Sequence, residues 1–147
     1  TISGFEKAVF STDRKSLLLA CEGGIVFYYD LGAKKLSKEE ALHKDRIYDI
    51  AVYENRLLTG TPERKARYFD GAKETWYDTR FPVYKVALNS DIGAFSKEKS
   101  IVIIDKNGKE IKEISYTGTL LTDLEFLPNG ELVGAGYDNN LYFWEAK

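Results

Sequence analysis

The chain has 147 residues, of which 44% are hydrophobic and 14% aromatic, enough to pack the core of one ordinary domain. Lys plus Arg number 21 against 23 Asp plus Glu, and a net charge of -2 provides no long-range pull toward nucleic acid or an anionic membrane. The single cysteine, Cys21, excludes an intrachain disulfide, and no apolar run approaches the roughly 20 residues that a bilayer span needs.

No basic start followed by an apolar stretch marks a secretion signal, so a soluble protein of a reducing compartment, cytoplasmic or nuclear, is expected. The chain starts at Thr1 and contains no methionine, which fits either removal of an initiator or excision from a longer chain.

In chain order, the first unit covers about residues 1–40. Phe5, Ala8 and Phe10 are apolar at i, i+3 and i+5; the second step is strand alternation, and the odd first step suits a bulge. SLLLAC follows as a second strand, Gly23-Gly24 as a turn, and IVFYYD as a third strand ending in Asp30. KLSKEEAL is rich in helix formers, yet it corresponds to strand-like stretches in the next two units and is read as a fourth, charged edge strand.

The second unit, about 41–78, repeats the order: Ile47, Ile50 and Val52, then RLLTGT, then KARYFD ending in Asp70, then KETWYD. The third, about 79–115, has Val83, Val86 and Leu88, then IGAFS, SIVIID ending in Asp105, the turn Asn107-Gly108, and KEIKEIS. The fourth, about 116–147, has Leu121, Leu124 and Phe126, the turn Asn129-Gly130, ELVGAG, and NLYFWE ending in Glu145. Asn-Gly accepts the positive φ of tight hairpins, and both pairs fall where the repeat requires a turn.

Four units of about 38 residues lie at or just below the ~40 to 45 of a four-stranded propeller blade. All-β architecture follows, with blades of four antiparallel strands a to d and a last blade lacking its outer strand. Aligning Phe5 with Leu121 puts Thr1 opposite Thr117, in the loop before strand a, so residues 1 to 4 are not expected to supply that strand. Strand c of the last unit, carrying Leu141, Phe143 and Trp144, would then be an edge needing cover. The expectation is a longer propeller of about seven blades, or completion by a second copy or a second protein.

These units resemble WD40 repeats. His43, in HKDRIYDIAV, stands where such repeats place the histidine of a Gly-His pair, and YTGTLLTDLEFLPNGELVGAGYDNNLYFWEA follows the pattern almost throughout, with Trp144-Glu145 for Trp-Asp. The other three signature pairs are Tyr29-Asp30, Phe69-Asp70 and Ile104-Asp105. The family's buried network of histidine, Ser or Thr, tryptophan and turn aspartate is nowhere complete: the second unit keeps His43 and Thr59 but has Phe69 for the tryptophan, and Pro62 and Glu63 in the turn. KARYFDGAKETWYD and SIVIIDKNGKEIKEI also resemble repeats of quinoprotein-like propellers.

The WD40 resemblance implies a non-enzymatic scaffold that binds a protein or peptide through loops on one face. The alternatives are an enzymatic propeller of quinoprotein type, with carboxylates and a cofactor over the channel, or a structural piece completing another propeller. No catalytic, metal or cofactor residues are assigned. His43 is the sole histidine and reads as a structural hydrogen-bonding residue between blades; Cys21 reads as a buried thiol, and Asp138-Asn139-Asn140 as a hairpin turn, not a calcium loop. The d to a and b to c connections carry the candidate partner-binding residues: Lys44, Arg46, Tyr48, Arg64, Arg80, Tyr84, Lys97, Lys99 and Tyr116. Tyr and Arg combine contact area with hydrogen bonding at binding hot spots.

Overall fold

The structure, a computed structural model, describes residues 4–118 and 120–147. The described residues contain fifteen strands and no helix. The first sheet holds β1 (Phe5–Phe10), β2 (Ser16–Cys21), β3 (Ile25–Asp30) and β4 (Lys35–Ala41). The second holds β5 (Asp49–Tyr53), β6 (Arg56–Gly60), β7 (Lys65–Phe69) and β8 (Glu74–Asp78). The third holds β9 (Val86–Leu88), β10 (Ile92–Ser96), β11 (Ser100–Asp105) and β12 (Glu110–Ser115). The fourth has β13 (Leu121–Phe126), β14 (Leu132–Gly136) and β15 (Leu141–Trp144) alone. Every pairing is antiparallel between consecutive strands, as in propeller blades. The expected bulge occurs in the first and last blades, where the register shifts between Phe5 and Lys7 and between Leu121 and Asp123.

KLSKEEA forms β4, because β3 offers it a ladder along its whole length, interrupted only by a register shift at Ser37, and its side chains remain mostly solvated on both faces. The expectation concerning residues 1 to 4 lies outside the described residues for 1 to 3; Gly4 accepts a hydrogen bond from the Glu22 N–H at 3.0 Å.

The acidic marker of the c strand in each of the first three blades has a local task. Asp30 Oδ1 accepts from the Ala33 N–H, Asp70 Oδ1 from Ala72 and Lys73, and Asp105 Oδ1 from Asn107 and Lys109. Each carboxylate thereby closes its c to d hairpin. In both Asn-Gly turns it is the glycine alone that takes positive φ, Gly108 at 89° and Gly130 at 90°.

Three apolar clusters fill the three gaps between successive blades. Val9, Leu18, Ala20, Val26 and Tyr28 of the first blade meet Ile50, Val52, Leu57 and Phe69 of the second. Leu58, Ala66, Tyr68 and Tyr77 of the second meet Val86, Phe95, Val102 and Ile104 of the third. Ala94, Ile101 and Ile103 of the third meet Leu124, Leu132, Tyr142 and Trp144 of the fourth. Innermost strands pack in succession, β1 on β5, β5 on β9 and β9 on β13, while β13 and β1 form no comparable packing. Four blades therefore make an open arc.

Candidate interaction face

One end of the arc is built by the d to a and b to c connections, and the hydrogen bonding that shapes it starts at His43. Its N–H donates to the Gly24 carbonyl of the first blade, while its ring Nε2 lies 2.7 Å from Thr59 Oγ1 of the second. Gly24 has φ of 79°, and a Cβ there would lie 2.2 Å from the His43 carbonyl oxygen, so the close approach requires glycine. Trp76, from the outermost strand, packs edge-on against the imidazole at 5.3 Å. Glu63 accepts from the Asp45 N–H at 2.9 Å, serving the turn that lacks the aspartate. Burial lowers the His43 pKa to about 4, so the ring is neutral.

Tyr48 and Tyr84 follow the first apolar position of strand a in neighbouring blades, and their rings stack at 5.0 Å and 12°. Tyr84 also lines a cleft of about 290 Å³ with Phe81, Pro82, Lys97, Glu98, Lys99 and Leu120. Phe81 and Leu120 are exposed at 38% and 43% and stand together in this cleft, an apolar patch and not single exposed side chains. Lys97 Nζ stands 3.4 Å from Glu113 Oε1, and Lys99 Nζ donates to the Gly118 carbonyl at 3.3 Å, fixing two cations on the rim.

The remaining candidates are placed differently. Arg46 spans the first gap and pairs with both Glu6 and Glu22 of the first blade at 3.3 Å. Lys44, Arg64 and Arg80 are exposed, the latter two brought near each other by the Thr79 N–H bond to the Arg64 carbonyl. Tyr116 is buried, its ring against Tyr142 and Trp144 at 5.7 Å from each. Phe81, Pro82 and Leu120 did not emerge as candidates from sequence, although apolar residues in a connection otherwise polar are the signal that marks them. Cys21 is buried, and burial raises its thiol pKa, which keeps it protonated. Asp138 to Asn140 form the b to c hairpin, with the Asn140 N–H donating to Asp138 Oδ1 at 3.1 Å. Among the described residues no group of three or more His, Cys, Asp or Glu is placed to hold a metal, and no helix is long and apolar enough to cross a membrane.

Solved structures carry the same arrangement. The WD40 repeats of RRP9 superpose with a TM-score of 0.86 at 12% identity, over 99% of this chain and 48% of that one. The fold is that of WD40 repeats. U3-55K matches these WD40-like blades with a TM-score of 0.87 at 12% identity, over 99% of this chain and 49% of that one. The β-propeller domain of Cps50 (Swd1) from Myceliophteria thermophila gives 0.78 at 15%, over 97% and 54%. The chain thus spans about half the length of these three. The computationally designed Ika4 protein matches with 0.81 at 15%, over 99% of this chain and 92% of that one. No protein-family model and no curated protein sequence matches the chain.

Proposed function

We propose that residues 1–147 act as one non-enzymatic WD40-type scaffold unit, in a cytoplasmic or nuclear setting, that holds a protein or peptide on the face built by its d to a and b to c connections. The observation that carries this reading is the cleft of Phe81, Pro82, Tyr84 and Leu120 beside the Tyr48 and Tyr84 stack. An apolar anchor side chain would fill the cleft, and Lys97 and Lys99 on the rim would favour carboxylates flanking that anchor. Lys44, Arg64 and Arg80 extend the cationic surround, and Arg46 acts by holding the first two blades in position. Tyr116 contributes from below, through the packing of the loop that carries Leu120.

Panning a randomised peptide display library on the purified chain tests this. Selected peptides should be enriched in an apolar residue next to Asp or Glu, and should lose about tenfold in affinity on Tyr84→Ala and on Leu120→Asp. Peptides whose binding ignores both substitutions would place the interaction elsewhere.

A further inference from the structure

The second gap, between blades 2 and 3, is closed by two polar residues at the end of the arc that carries the a to b and c to d turns. Tyr68 O–H of blade 2 crosses to the Lys106 carbonyl of blade 3 at 2.7 Å, and Arg56 of blade 2 donates to the Asn89 carbonyl of blade 3. By ladder register, the counterparts of Tyr68 and Arg56 in blade 1 are Tyr28 and Ser16. Ser16 is too short to cross, and Tyr28 O–H turns back to Glu40 Oε1 of its own blade at 2.7 Å. The first gap, between blades 1 and 2, therefore stays open there as a cleft of about 360 Å³. Leu18 and Tyr28 of blade 1 line it together with Val52, Leu57 and Phe69 of blade 2.

Arg67 also lines this cleft, and the repeat does not call for a charge there. The equivalent residues are Phe27, Val102 and Tyr142 in the other three blades. Arg67 is 8% exposed, and a guanidinium taken out of water needs its charge and its donors met. Its Nε donates to Glu74 Oε2 at 3.0 Å, and it lies 5.9 Å and 6.0 Å from the ring centres of Phe69 and Trp76. Its two terminal amino groups have no hydrogen bond among the described residues. The guanidinium charge acts on Tyr28 and Glu40 across the gap, which places it toward the cleft. The nearby carboxylates are committed elsewhere: Glu40 to Tyr28 O–H and to Lys38 Nζ at 3.1 Å, and Asp13 to Ser11 Oγ at 2.7 Å and the Lys15 N–H at 2.9 Å. Glu54 is exposed on the a to b turn of blade 2.

We propose that this cleft binds a small organic carboxylate with an apolar body, its carboxylate on the terminal amino groups of Arg67 and its body against Leu18, Val52, Leu57 and Phe69. A guanidinium presents parallel N–H donors to the two oxygens of a carboxylate, a match that a point charge does not give. A phosphate fits less well, because its second charge calls for a second cation. Lys38 is paired with Glu40, and Arg56 is turned to Tyr68 and Asn89. The volume lies at the small end of the ~300 to 1,000 Å³ of ligand sites, and an apolar lining with few polar groups is their usual composition. The cleft is built from blades 1 and 2 alone, at the opposite end of the strands from the partner-binding face. The inference therefore depends neither on that face nor on what adjoins the first and last blades.

Titration of the isotopically labelled 147-residue chain with hydrocinnamate, read by nuclear magnetic resonance of backbone amides and arginine Nε groups, tests the site. The expected dissociation constant is about 1 mM or lower, with shifts concentrated in β2, β3, β6 and β7 and at the Arg67 Nε. Hydrocinnamide, which keeps the shape and loses the charge, should bind at least about tenfold more weakly. Arg67→Val places in blade 2 the residue type that blade 3 has at Val102, and circular dichroism checks that the variant is folded. It should weaken hydrocinnamate by at least about tenfold and leave hydrocinnamide unchanged. If the variant does not fold, acid against amide on the parent chain still decides. Equal binding of acid and amide would overturn the proposal, as would a folded variant that binds the acid like the parent. Shifts centred outside these strands, or none at about 20 mM, would overturn the site itself. Tighter binding of phenyl phosphate than of hydrocinnamate would overturn the carboxylate assignment.

Discussion

His43 ties two blades together with an uncharged ring. Its Nε2 is engaged by Thr59, and its Nδ1 is buried without a hydrogen-bond partner, so a second proton would put a charge where nothing accepts it. Burial is the main cause of a pKa near 4, and the carboxylates of Glu63 and Glu74 only partly oppose it. The folded pKa lies below the unfolded value of about 6.5, so the unfolded chain binds more protons between the two. Stability from this group is therefore complete above about pH 6.5 and is lost as pH falls toward 4. At pH 5 the loss should be about 2 kcal/mol. Urea unfolding at pH 7 and pH 5 checks it: His43→Gln should shrink the difference between the two by about that amount, and an unchanged difference would show that the ring is not neutral in the fold. The pairing of His43 with Thr59 was legible through the resemblance to WD40 repeats, whose buried network joins a histidine to a Ser or Thr. The roles of Trp76 and Glu63 were not, since each reaches its place across a turn, from a residue type the repeat does not put there.

Strand phase was the strongest signal at the level of elements. Apolar i, i+3, i+5 spacing located strand a in every blade, but its bulge only in the first and last, because β5 and β9 begin after the first apolar position and pair without a shift; the acidic markers located the c to d hairpins of the first three blades. β4 was the ambiguous case, because helix propensity competed there and the ladder from β3 decided it. Blade 4 is the element with least support: it has three strands, and beside its buried Leu121, Leu124 and Leu132 the half-buried Trp144 packs on the same cluster, its indole over Gly134 and stacked on Tyr142 at 5.6 Å. A Cβ at Gly134 would sit 2.8 Å from that indole, so glycine is what admits it. Trp144→Ala should cost about 3 kcal/mol. Hydrogen exchange should show the loss confined to β13, β14 and β15, with β6, β7, β10 and β11 keeping their protection, because they are flanked by blades on both sides. Uniform loss across all four sheets would mean that the blades unfold as one unit.

For the molecule as a whole, sequence revealed four blade-length repeats in these 147 residues but neither the total number of blades nor what lies against the first and the last. The reason is physical: a repeat encodes two apolar faces per blade, and the pattern of Phe10 or Phe143 is the same whether the neighbour is the next blade of the chain or another molecule. The cleft was equally hidden, since Phe81, Tyr84 and Leu120 come from two connections that only the packing of blade 3 on blade 4 brings together. Thermal unfolding distinguishes an arc that stands alone from one closed by a second copy. If the folded state is a dimer and the unfolded state is not, mass action makes the melting temperature rise with protein concentration. With about 0.7 kcal/mol of unfolding enthalpy per residue, two chains of this length unfold with about 200 kcal/mol, and a tenfold rise in concentration should raise the midpoint by about 2 to 3 °C. Calorimetry across two decades of concentration reads the difference: that shift for the parent chain marks an arc closed by a second copy, and Phe143→Lys should then abolish it. A midpoint independent of concentration in both would mean that the open faces are tolerated in water, and that the three internal clusters alone sustain the arc.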